Sequence, residues 1–130
     1  MIVADSSTWI AFFAGDTGGD VEMLRKSLQD SQVLMAPVVL TELFSDPDLE
    51  KDVEETLVGI PLIETRPGFW HRAGVLRAKV LSKKRWARLG DSLLAQSCID
   101  EGISLLTRDR DFQTFADAAG LTLVIRNVKH

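Results

Sequence analysis

Cysteine is almost missing from this chain. Its 130 residues include one, Cys98, so no internal disulfide can form and a reducing compartment is expected. No apolar run approaches the roughly 20 continuous residues of a membrane-spanning helix, so no membrane segment is expected. The opening MIVADSST has neither a positive n-region nor a long apolar core, so no signal peptide is expected and the cytoplasm is the expected compartment. Histidine is scarce as well: His71 has no histidine or cysteine partner at zinc-site spacing, and His130 is terminal. There is no Gly-x-Ser-x-Gly elbow, Walker loop or dinucleotide fingerprint. The GDTGG of Gly15–Gly19 is not followed by Lys-Ser/Thr and reads as a plain loop. Cys98 falls on the apolar face of a helix and reads as core. Acid is absent from one whole window. Between Glu64 and Asp91 there is none, and that window holds Arg66, Arg72, Arg77, Lys79, Lys83, Lys84, Arg85 and Arg88 in a chain of net charge −4. On charge alone this is a solvated helix face and loop, although it could also meet a polyanion locally.

What remains is an ordinary globular composition, 45% hydrophobic and 26% charged, at the length of one domain over residues 1–130. Met1–Ala4 reads as a short buried strand. Ser6, Ser7 and Thr8 offer capping oxygens to a helical turn over Trp9–Ala14. Helices are expected over Asp20–Asp30, over Val38–Ser45 with Pro37 in the first turn, and over Asp48–Val58. A long helix is expected after Pro67, with Phe69, Ala73, Leu76 and Val80 as its apolar stripe. Another follows over Asp91–Glu101, closed by Gly102, and the last spans Phe112–Ala119 with Asp111 as its cap. Further strands are expected at Gln32–Met35, Pro61–Glu64, Ile103–Leu106 and Leu121–Ile125, and a basic tail closes the chain. Alternation of this kind predicts a mostly parallel sheet with helices on both faces.

In such sheets ligands bind beyond the carboxyl ends of the strands, where strand order reverses. Asp5 ends the first strand, Asp109 lies just past the fourth, and Asp91 opens the helix that feeds the fourth. If the first and fourth strands are neighbours, these three carboxylates converge. If the second lies beside the first, Glu42 reaches the same cleft. Four carboxylates together repel one another and raise one another's pKa values. A hard divalent cation with oxygen preference relieves that repulsion. Each acid also has an ordinary use: Asp5 as a strand end, Glu42 as a solvent-facing helix residue, Asp91 as an N-cap, Asp109 and Asp111 as turn or capping residues. Ser7 and Thr107 can cap locally or support a bound water. Trp70 and Trp86 flank the basic window and could stack on unpaired bases, though for Trp70 the expected role is sealing its helix against the core.

Four pieces, IVADSS, PVVLTELF, GDSLLAQSC and LLTRDRDF, together resemble the PIN-domain ribonucleases, most closely the small VapC-type toxins of toxin–antitoxin pairs. The resemblance runs over essentially the whole chain. It implies a three-layer α/β/α sandwich with a five-stranded parallel sheet in which the first and fourth strands are neighbours. It implies that Asp5, Glu42, Asp91 and Asp109 form an acidic Mg²⁺ or Mn²⁺ site, supported by Ser7 and Thr107, with Asp111 in a secondary role. It implies an RNA substrate, a homodimer and a cognate antitoxin. Two features depart from the family: its frequent asparagine is Ser7 here, and KKRWARLG before Asp91 is unusually basic. The expected activity is therefore metal-dependent endoribonuclease. Arg72, Lys79, Lys83, Lys84, Arg85 and Arg88 are expected to hold the RNA backbone. The alternative is a catalytically silent domain of the same fold that binds a partner protein. A phospho-receiver domain is a poorer match, because Asp5-Ser6-Ser7 lacks paired acids after the first strand.

Overall fold

The structure, a computed structural model, describes residues 1–125. The basic tail with Lys129 and His130 lies outside them. Four strands form one parallel sheet: β1 (Ile2–Ala4), β2 (Val33–Leu34), β3 (Ser104–Thr107) and β4 (Leu123–Ile125), in the order β2-β1-β3-β4. The helices are α1 (Ser6–Phe13), α2 (Gly19–Gln29), α3 (Pro37–Phe44), α4 (Lys51–Val58), α5 (Phe69–Ser82), α6 (Leu89–Glu101) and α7 (Gln113–Ala119). A single 3-10 turn, Arg110–Phe112, joins β3 to α7.

The expected third strand, at Pro61–Glu64, is not formed as a strand. Pro61–Glu64 contributes one parallel bridge, Met35 to Leu62, held by Met35 N–H to Pro61 O (2.8 Å) and Ile63 N–H to Met35 O (2.9 Å). Pro61 has no N–H to extend the ladder, and only Ile63 of the segment turns into the core.

Strand order places β1 centrally, with β2 on one side and β3 on the other. The chain crosses from β1 to β2, then returns past β1 to β3, so the order reverses between β1 and β3. That pair is the topological switch point, and its carboxyl ends open the crevice. β1 and the middle of β3 are buried because they face helices on both sides: Val3, Ala4, Leu105 and Leu106 have no exposed surface. Register follows from that burial, since a slip by one residue would exchange the two faces of each strand. Ala4 pairs with Leu106, so Asp5 and Thr107 emerge side by side.

Around the sheet α1 packs on α2 and α3, and α5 on α6 and α7. One apolar core joins Trp9, Leu24, Met35, Leu57, Leu76, Leu94, Phe112 and Phe115. Trp9 stacks on Phe13 at 5.8 Å between ring centroids, and its indole N–H is buried without a partner. Gly102, in the left-handed region at φ 65°, turns the chain out of α6 and into β3.

Candidate active site

Asp5 stands at the carboxyl end of β1 and is itself the N-cap of α1. Its Oδ1 accepts from the Thr8 N–H at 3.1 Å. The capping oxygen expected from Ser6, Ser7 or Thr8 therefore comes from the residue just before them, the acid. Ser7 instead donates its hydroxyl to Asp5 Oδ1 at 2.7 Å. Thr107 donates to Asp5 Oδ2 at 2.5 Å and accepts the N–H of Asp109 at 2.9 Å. One hydroxyl thus ties the ends of β1 and β3 together. Asp5 is buried, and burial raises its pKa; the three donors partly offset that, and Asp109 adds repulsion.

Asp109 caps the 3-10 turn, accepting the Asp111 N–H at 2.9 Å. The expected cap at Asp111 is not formed: α7 has Phe112 at its N-cap position and no side-chain cap. Asp111 sits inside the turn with its side chain about half exposed. α6 begins at Leu89, so Asp91 is in its first turn rather than at its cap, which is Arg88. Burial pushes the Asp91 carboxyl up to about 6, with Asp109, Glu42 and Asp5 adding repulsion against the attraction of Arg88. Glu42 is exposed as a residue, yet its carboxylate lies over the start of α6: a Cβ added at Gly90 would meet Glu42 Oε2 at 3.4 Å. Its pKa is raised by burial of the carboxyl end and by Asp5, against a lowering contribution from Ser6.

The four expected acids therefore face one edge and feel one another's charge. Arg88 stands among them, its Nη1 4.0 Å from Asp91, 4.0 Å from Asp109 and 3.7 Å from Asp111. Among the described residues no group of three or more His, Cys, Asp and Glu is drawn tightly enough to chelate a metal outright. The donor set is nonetheless all hard carboxylate oxygen, and a protein cation already occupies part of its rim. The donor set suits an oxygen-preferring divalent ion, which would have to displace Arg88 from that rim.

Two residues of the site escaped sequence reasoning. Asp20, with no exposed surface, accepts both Arg108 nitrogens at 2.7 Å and the Thr8 hydroxyl at 3.0 Å. Burial alone would raise its pKa, but these donors hold it below the ordinary carboxylate range. Arg108 also donates to Thr17 O at 3.2 Å. The fork leaves no room at Gly18, where φ is 144° and an added Cβ would lie 2.7 Å from Asp20 and 2.9 Å from Arg108. This clamp fixes the Thr107–Asp109 turn to α2. The only sequence signal was a charged residue lodged between Thr107 and Asp109.

The basic window divides. Arg72 is turned to Asp100 (3.2 and 2.5 Å) and to Pro67 O (2.7 Å), which ties α5 to α6. Arg85 lies 3.7 Å from Asp117. Lys79, Lys83 and Lys84 project into solvent. Trp70, expected to seal α5, is 68% exposed, and Phe69 beside it takes that role. Cys98 is buried core and its thiol is pushed up to about 12 by burial, then by Asp5. No helix among the described residues is long and apolar enough to cross a membrane.

A parallel α/β fold with an acidic crevice at its switch point defines the class. The PIN domain family model matches residues 2–118, and the chain belongs to that family. It is similar to the VapC ribonuclease Mb1587 of Mycobacterium bovis, 24% identical over 128 residues, covering 93% of this chain and 96% of the relative. Its fold resembles that of VapBC2 from Rickettsia felis, solved bound to a promoter DNA fragment (TM-score 0.74, 17% identity, 98% and 100% of the two chains). It also resembles VapBC-5 from Mycobacterium tuberculosis (TM-score 0.70, 19% identity, 95% and 96%).

Proposed function

We propose that the protein is a metal-dependent endoribonuclease of the VapC type, the toxin of a toxin–antitoxin pair. One observation carries the reading: Asp5, Glu42, Asp91 and Asp109 converge from two helices and two strand ends and load one crevice with negative charge. The family match and the similarity to curated VapC ribonucleases support it. Burial of mutually repelling carboxylates works against stability and is characteristic of a binding or catalytic site.

Asp5, Asp91, Asp109 and Glu42 would hold Mg²⁺ or Mn²⁺. When bound, such a cation supplies positive charge at a phosphate and acidifies water, a task for which the crevice has no histidine. Ser7 and Thr107 orient Asp5 and favour its ionised form, partly against burial, by donating to its two oxygens. Thr107 also fixes the Asp109 backbone, and the Asp20–Arg108 clamp holds that turn in place. Asp111 stays at the outer rim. Lys79, Lys83, Lys84, Arg85 and Arg88 draw the RNA backbone toward the crevice.

The solved relatives were determined as VapBC assemblies, which supports a cognate antitoxin as partner. A cleft of about 270 Å³ between α1, α3 and α4 fits such a segment. Its apolar lining includes Ile10, Leu43, Val53 and Leu57, and its acidic lining includes Glu42, Asp46 and Glu50. An amphipathic peptide with apolar and basic side chains is complementary to it, and would arrive beside Glu42.

Purified protein should cleave RNA in Mn²⁺ or Mg²⁺ and stop in EDTA. Asp5→Asn and Asp91→Asn should each abolish cleavage with an unchanged circular-dichroism spectrum. Full activity in both variants sinks the assignment.

A further inference from the structure

We propose that Trp86 and Arg88 form a subsite for one unpaired nucleotide beside the acidic crevice, its base stacked on the indole and its phosphate gripped by the guanidinium. The proposal rests on the nuclease reading above and names the form of nucleic acid the site takes, a single strand.

A lone exposed tryptophan is ordinary. Three features set Trp86 apart. First, its side chain is 64% exposed while its backbone is held from two directions. The Thr114 hydroxyl, whose nearer acceptor is Asp111 O at 3.1 Å, lies 3.4 Å from Trp86 O, and the carbonyl of Ala87, itself buried, accepts Arg77 Nε at 2.9 Å. The indole is thus presented to solvent from a fixed backbone. Second, a single guanidinium connects it to the acids. Arg88 Cζ lies 6.0 Å from the Trp86 ring centroid, and the same group reaches Asp91, Asp109 and Asp111 at 3.7–4.0 Å. Arg88 is half-exposed and its ion pairs are long, so they are weak and easily exchanged for a phosphate. Its planar fork suits a phosphate and can also stack on a base.

Third, the segment opens on Lys84 at φ 58°, the left-handed position after α5 where glycine is usual. A cation stands there in a conformation its side chain disfavours. Lys83, Lys84 and Arg85 then lead directly to Trp86. Cations followed by an exposed aromatic, next to a hydrolytic crevice, are the parts of a single-strand site: charge tracks the backbone while the ring takes any base. A paired base offers no free face to such a ring.

The test uses Asp5→Asn protein in Mn²⁺, so that RNA stays whole, with Asp91→Asn as the background where Asp5→Asn does not fold. Binding of an unstructured fluorescent RNA oligonucleotide is compared with binding of its duplex. Adding Trp86→Ala should weaken single-strand binding about tenfold, Trp86→Phe should restore most of it, and Trp70→Ala should bind as the parent. An oligonucleotide with abasic positions should lose affinity for the parent and not for Trp86→Ala. Equal binding by Trp86→Ala and parent, or an equal loss for duplex, overturns the subsite. So does a Trp86→Ala change in molecular mass by light scattering without a change in affinity, which would make the indole a protein contact. Failure of the parent to bind single strands overturns it too. Wild-type cleavage is scored separately: binding that depends on Trp86 without any cleavage refutes the nuclease reading and keeps the subsite, and cleavage indifferent to Trp86 does the reverse.

Discussion

Replacing Asp91 with asparagine should abolish activity and stabilise the metal-free protein. Asp91 is raised from 3.8 to about 6 because it is buried at 16% side-chain exposure, close to Asp109, Glu42 and Asp5. At about 1.4 kcal/mol per tenfold change, ionising it near neutral pH opposes folding by about 3 kcal/mol before screening. Water at the crevice mouth and Arg88 at 4.0 Å reduce this to about half. Asparagine also forgoes a favourable charge in the first turn of α6, worth about 0.5 kcal/mol. The net gain is about 1 kcal/mol, or about 4 °C in Tm for a chain of this length. The sign depends on pH. A carboxyl with a raised pKa binds more protons folded than unfolded, so stability falls as pH rises from about 4 through about 6. Asp5 and Glu42 are shifted in the same direction. The advantage of Asp91→Asn should therefore be present near pH 7 and vanish near pH 4, in thermal melts in EDTA. Adding Mn²⁺ should raise the wild-type Tm and leave the variant's nearly unchanged. A variant less stable than wild type near pH 7, or a difference independent of pH, refutes the reasoning.

Thr107→Val keeps the shape of the side chain and removes both the donor to Asp5 and the acceptor for Asp109 N–H. It should cost about 1–3 kcal/mol, raise the Asp5 pKa further and move the acid limb of the activity profile to higher pH. Thr107→Ser should restore both, and an unmoved acid limb in Thr107→Val would show that the hydroxyl does not govern Asp5. Asp20→Asn leaves Arg108 with a half-matched partner in a site where Asp20 has no exposed surface. It should cost about 3 kcal/mol, at the low end for breaking a buried pair because Arg108 keeps some water. A loss below about 1 kcal/mol in urea melts would show that the clamp is not structural.

The alternation of apolar strands with capped helices made the parallel sheet and its central pair legible, because burial on both faces writes itself into Ile2–Ala4 and Ser104–Thr107. The strand expected at Pro61–Glu64 was overread: Leu62 and Ile63 have the right character, but backbone pairing depends on Pro61 and on a neighbour that the sequence does not display. Caps were misplaced by a few residues for a shared reason. Aspartates and hydroxyls are all competent at helix starts, and only tertiary contacts decide which one bends inward. Asp5 and Asp109 are therefore caps that also stand in the acidic crevice. The four acids were legible as a set because topology brings strand ends together. The Asp20–Arg108 clamp was not, since its partners are 88 residues apart and each alone looks like a surface charge.

The clamp also explains how the crevice tolerates its own repulsion. Consecutive residues of one turn have opposite electrostatic fates: Arg108 points inward to a matched, fully buried partner, and Asp109 points outward among like charges. The favourable pair anchors the turn from behind, so the unfavourable set in front cannot relax by moving apart. Thr107, between the two strands, transmits that rigidity to Asp5 through a single hydroxyl. Relief then has to come from added positive charge. Within the chain only Arg88 approaches Asp91, Asp109 and Asp111 together among the described residues, and it does so at 3.7–4.0 Å from an exposed side chain. Such a loosely held counter-charge can be displaced by a better cation and is then free to meet a phosphate, so cation binding and RNA binding should be mutually reinforcing at this edge.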